Sequence, residues 1–124
     1  MNGWLAGAAA LTVAIGLAHS YLGERYILIR LFRRDDLPPL FGSDWFTRRT
    51  LRFAWHLTTL AWCGFAGLMI VAARGAPVTA ALTVVGWTFA LSALVAFAAS
   101  RGRHLSWVVF LSIALLVWRA TAGQ

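Results

Sequence analysis

The chain has no lysine and only four acidic residues, Glu24, Asp35, Asp36 and Asp44, against eleven arginines. Soluble domains carry about a quarter of their residues charged. Here the share is 12%, with 60% hydrophobic residues and a mean hydropathy of +0.74. So few polar side chains cannot cover so much apolar surface, which leaves lipid as the solvent for most of it. A single cysteine, Cys63, excludes an intrachain disulfide. With only Pro38, Pro39 and Pro77, long stretches of chain are free of the ring that breaks helices. No HExxH, CxxC or CxxCH spacing occurs, so no local metal or haem motif is present. The first basic side chain is Arg25; without a charged n-region the N-terminal apolar run reads as a retained first helix, not a signal peptide.

What is present is a set of four apolar runs, at about 3–22, 51–73, 77–99 and 105–120. Each approaches the roughly 20 residues needed to cross a bilayer, the last at the short end of the range. The pattern predicts one all-α integral membrane domain over 1–124, an antiparallel four-helix transmembrane bundle. Helix one should continue past the bilayer edge to about Phe32 and stop before Pro38-Pro39. Ser43 or Asp44 suits the N-cap of helix two, whose first turns carry Trp45, Phe46, Arg48, Arg49 and Arg52. The segment 23–50 is thus an interfacial ramp with aromatic rings at headgroup level. Gly75 suits a helix C′ position and Pro77 the next first turn. The short links 74–77 and 100–104 force antiparallel neighbours.

Sidedness follows from the arginines. Arg25, Arg30, Arg33, Arg34, Arg48, Arg49, Arg52, Arg101 and Arg103 fall on one side, and only Arg74 and Arg119 on the other. The positive-inside rule then puts both termini on the non-cytoplasmic side of a bacterial plasma (inner) membrane. The formal net charge of +7 would suit nucleic acid, but its placement as a collar at span ends points to anionic headgroups, with nucleic acid not expected as a partner. Arg48, Arg49, Arg52, Arg101 and Arg103 are the expected lipid-headgroup contacts.

The three histidines carry the most chemical information. His19, His56 and His104 stand near the same end of helices one, two and four, with Glu24 at that level. At about 100° per residue, Thr12, Gly16, His19 and Gly23 share a stripe, with Ser20 and Glu24 toward its flank and Glu24 about 140° from His19. Small residues on such a stripe let a second helix approach closely. Arg52, His56, Thr59, Cys63 and Gly67 form the matching stripe on helix two. Arg52 and Glu24 are placed to pair and clamp the two helices.

Three functional readings fit this pattern. Imidazoles from several helices with a carboxylate suit a transition metal held by His19, His56, His104 and Glu24, or haem iron held axially by His19 and His56. Small-residue stripes and deep tryptophans suit a non-catalytic subunit or scaffold packing against a membrane partner or a second copy. Histidine as acid or base, with arginines holding phosphate, suits an enzyme acting on lipid headgroups. A conducting pore is disfavoured, since no acidic residue falls at mid-membrane.

Overall fold

The computed structural model describes residues 1–123, which among themselves form four long helices and no strand. Helix α1 spans Gly3–Leu31, α2 Trp45–Ala73, α3 Val78–Ser100 and α4 Ser106–Ala122. The first three have mean hydropathies of 1.5, 1.6 and 2.0 over their most apolar stretches and are long enough to cross a membrane. The 17 residues of α4 span about 26 Å at 1.5 Å per residue, close to the roughly 30 Å of a hydrocarbon core. These are the helices of a multi-pass membrane protein.

Local chemistry sets the helix ends. Asn2 caps α1, its Oδ1 accepting from the backbone N–H of Trp4 at 3.0 Å and of Leu5 at 3.3 Å. Its own N–H donates to the Ala73 carbonyl at 2.8 Å, so the start of α1 lies beside the end of α2. Asp44 stands at the N-cap of α2, but the side-chain bond to the first turn comes from Ser43, whose Oγ accepts from Trp45 N–H at 3.4 Å. Gly75 occupies C′ of α2 with φ +63°, and Ala76 N–H returns to the Val71 carbonyl. Arg101 ends α3 in the left-handed region, followed by Gly102 at φ +76°.

The first helix is not uniform. It is α-helical over Gly3–Leu22, becomes a π-helix over Gly23–Leu28, and closes with the α-turn Ile29–Leu31. The change begins where Trp55 of α2 packs, its indole lying directly over Gly23 where any Cβ would collide with it. The indole N–H donates to the His19 carbonyl at 3.1 Å, a carbonyl that also accepts from Gly23 N–H.

Neighbouring helices run antiparallel. Gly16 of α1 meets Thr59 and Trp62 of α2. Gly64 and Gly67 of α2 meet Thr88 and Val84 of α3, and Gly86 of α3 meets Trp118 of α4. Each helix packs only on its neighbour in sequence; α1 does not pack on α3 or α4, nor α2 on α4. The expected bundle is therefore an open row. Its accessible surface of 7992 Å² exceeds the roughly 6,600 Å² of a compact soluble chain of this mass. Leu11, Leu17, Leu94 and Leu116 are each at least 60% exposed, as lipid-facing residues are.

The α2 stripe divides between two neighbours, which corrects the expectation that all of it faces helix one. Arg52, His56 and Thr59 reach α1 residues. Gly67 packs on α3, and Cys63 lines a groove with Thr83, Val84 and Trp87 of α3. His56 stands at the border between these two faces.

Candidate functional site

A hydrogen-bonded chain of side chains joins α1 to α2 at the arginine-rich end. Ser20 and Glu24 are four residues apart on α1, and Arg52, His56 and Thr59 lie one turn apart in succession on α2, so each set shares a face. His56 is bonded at both ring nitrogens, with Nδ1 2.8 Å from Ser20 Oγ and Nε2 3.1 Å from Glu24 Oε2. The other Glu24 oxygen lies 2.9 Å from Arg52 Nη2. Ser20 Oγ also lies 2.6 Å from Thr59 Oγ1, and the Thr59 hydroxyl reaches the Gly16 carbonyl at 2.9 Å. The Arg52 guanidinium lies over the Phe32 ring at 4.9 Å, and its Nε is buried without an acceptor.

Proton bookkeeping shows that this network tolerates two states of His56. As an imidazolium, His56 donates from Nε2 to Glu24 and from Nδ1 to Ser20, Ser20 donates to Thr59, and Thr59 donates to the Gly16 carbonyl. As a neutral ring protonated at Nε2, His56 still donates to Glu24, and the hydroxyls rotate so that Ser20 donates to Nδ1 and Thr59 to Ser20. Neither state leaves a hydrogen of His56, Ser20 or Thr59 without an acceptor, which spares these three side chains a desolvation penalty. Hydroxyl, imidazole and carboxylate in line are also the parts of an acid–base relay. The relay does not continue across the membrane, because Thr59 ends on the backbone of Gly16.

Of this network, His56 and Arg52 open outward. With Arg49 and Phe53 of α2 and Val95 and Ala99 of α3 they line a cleft of ≈ 220 Å³. A second cleft of ≈ 340 Å³, lined by Phe32, Trp45, Arg48, Arg49 and Arg52, adjoins it through the two shared arginines. Side chains of Glu24, His56 and Arg52 retain 31%, 34% and 43% of their exposure, so this end of the chain is reachable by a ligand.

The remaining candidate residues are placed elsewhere. His19 stacks on Trp55 with ring centroids 4.6 Å apart and planes within 2°, and its Nε2–H donates to the Trp55 carbonyl at 3.3 Å. Together with the indole bond to the His19 carbonyl this makes a reciprocal clamp between α1 and α2. His104 packs against Phe46 and Phe53, and its Nδ1 lies 2.8 Å from Ser106 Oγ. The expected metal set of His19, His56, His104 and Glu24 is thus not gathered at one point. Only Glu24 and His56 meet, and among the described residues no three His, Cys, Asp or Glu side chains gather as metal ligands.

The arginines expected at headgroups also separate. Arg48 is engaged within the protein. It bonds Asp44 at 2.7 Å and the carbonyls of Phe32 and Arg34, tying the end of α1 to the start of α2. Arg52 belongs to Glu24. Arg49, Arg101 and Arg103 all sit over one ring, Trp45, at 5.7, 5.7 and 4.9 Å from its centroid.

Ser20, Thr59 and Trp55 are the site residues that sequence reasoning did not single out as partners. Ser20 could be found from its i,i+4 spacing to Glu24, which His19 does not share. No protein-family model, curated protein or solved structure matches the chain, so the site is read from its own geometry.

Proposed function

We propose that this is a multi-pass protein of a bacterial inner membrane whose His56 is an acid–base group acting on a phosphate-bearing lipid headgroup at the cytoplasmic face. The observation that carries the reading is His56 itself. It is held by Glu24 and Ser20 in a network that accepts either protonation state, and it opens into a cleft shared with Arg49 and Arg52. Guanidinium groups match phosphate geometry, and the apolar wall of Val95 and Ala99 matches the first methylenes of an acyl chain. Glu24 orients the imidazole through Nε2, while Arg52 fixes Glu24.

The test is reconstitution into lipids extracted from a bacterial inner membrane, followed by mass spectrometry of the lipids against a His56→Gln protein. A lipid product formed by the wild type and absent with His56→Gln and Glu24→Gln supports the reading. Identical lipid profiles for the folded wild type and both variants would sink it.

A second reading has its own observation in favour: every polar atom of the His56, Ser20 and Thr59 side chains already has a protein partner. In that reading the network is an interhelical clamp in a non-catalytic subunit. His56→Gln and Ser20→Ala would then lower thermal stability in detergent while changing no lipid.

A further inference from the structure

Three guanidinium groups gathered on one indole, with no carboxylate among them, call for an anion. Trp45 and Arg49 belong to the first turns of α2, whereas Arg101 and Arg103 belong to the turn between α3 and α4. They meet because His104, next in that turn, packs on Phe46 and Phe53 of α2. Among the described residues Glu24 is engaged by Arg52 and His56, Asp36 by Arg34 and Asp44 by Arg48, and none pairs with Arg49, Arg101 or Arg103. Cation–π attraction to the half-buried Trp45 ring holds the guanidinium groups over it but does not remove the repulsion among three like charges. Their donors remain free for a phosphate, which binds arginine in a bidentate fashion.

An apolar groove begins where these arginines end. Gly102, between Arg101 and Arg103, lies against Phe97, and its carbonyl accepts the Trp107 indole N–H at 3.1 Å. Phe97 and Trp107 in turn line a groove of ≈ 320 Å³ between α3 and α4, continued by Ala90, Ala93, Leu94 and Leu111. It contains neither His56 nor any other member of the relay. A charged head over an apolar trough is the shape of one phospholipid.

We infer that the protein carries a phospholipid site beside the His56 cleft, with Arg49 standing between the two. The headgroup phosphate sits among Arg49, Arg101 and Arg103 over Trp45, and one acyl chain lies in the α3–α4 groove. The occupant is an anionic lipid, whose headgroup lacks the compensating cation that a cluster of three arginines would repel in a zwitterionic one. This site stands whether or not His56 is catalytic.

Native mass spectrometry of the detergent-solubilised full chain tests it, with phosphatidylglycerol, phosphatidylcholine and inorganic phosphate as probes. One phosphatidylglycerol is expected to stay bound in preference to phosphatidylcholine. R101Q/R103Q should weaken that binding about thirtyfold, while R74Q/R119Q at the other end leaves it unchanged. Ala90→Leu, which narrows the groove without touching the arginines, should weaken it as well. Equal retention by R101Q/R103Q and wild type, or an equal loss with R74Q/R119Q, overturns the site. Displacement of the lipid by millimolar phosphate, or no effect of Ala90→Leu, overturns the lipid in favour of a free anion.

Discussion

His56 and His19 illustrate how one residue type is assigned different work by its neighbours. They stand on facing helices, but His19 has an aromatic plane beneath it and a backbone carbonyl before its N–H. His56 has a carboxylate on one side and a hydroxyl on the other. The first arrangement orients the ring through Nε2–H and packs it; the second engages both ring nitrogens with side chains. The hinge between them is Gly23, where the Trp55 indole occupies the space of a side chain. Gly23→Ala should therefore displace Trp55, break the reciprocal His19–Trp55 clamp and cost about 1–3 kcal/mol, the range for overpacking a closed contact. Gly7→Ala has nothing within 4 Å and should stay within about 0.5 kcal/mol of wild type. Thermal denaturation of both variants in detergent checks the contrast, and equal midpoints would remove Trp55 from its place over Gly23.

At the scale of the helix, the spans were legible because their signal is cumulative. The limits 3–22, 51–73, 77–99 and 105–120 fall inside Gly3–Leu31, Trp45–Ala73, Val78–Ser100 and Ser106–Ala122, except at 77 and 105, each one residue early, where Pro77 and Leu105 become the N-caps. The site was legible only in part. A constant 100° per residue places His19 and His56 on matching stripes, yet it carries no information on which neighbour each side of α2 meets. Nor does it anticipate the π-helix Gly23–Leu28, which begins under Trp55 of α2 and rotates the residues after it. The Glu24–Arg52 pair was readable because opposite charges at one depth have few other partners in lipid. The connection from α1 to α2 is held by charges outside the spans. Asp36 is bonded by Arg34 at 2.8 and 2.6 Å, and Asp44 by Arg48 at 2.7 Å. Those hydrogen bonds hold both carboxyls below the ordinary aspartate range. Carboxyls lowered in the folded state stabilise it above the ordinary value of about 3.9 and lose that contribution as pH falls through their folded values. Acid should thus loosen residues 33–44 before the spans. Hydrogen exchange should show faster amide exchange there, after correction for intrinsic rates, and high salt should reduce the effect, since both pairs are solvent-screened.

At the scale of the whole molecule, the open row and the two-sided charge distribution belong to one argument. A row leaves apolar faces toward lipid on both sides, so its depth in the bilayer is set by its two ends. One end carries Trp45 under three arginines, the Arg52–Glu24–His56 network and the 33–44 link; the other carries Arg74 and Arg119. An arginine bias of this size sets orientation during insertion, which predicts that the crowded end faces the cytoplasm. Cys63 lies within α2, so a Cys63→Ala background gives a chain free of thiols. Into it Leu40→Cys and Arg74→Cys place single thiols at exposed positions on opposite ends. In intact cells a membrane-impermeant maleimide should label Arg74→Cys and spare Leu40→Cys, and Leu40→Cys should react only once the inner membrane is opened. The opposite pattern would place the relay and the Trp45 cluster on the outer face. Labelling of both in intact cells would mean that the two ends do not fix a single orientation, and the arginine asymmetry would then have to be explained by lipid binding alone.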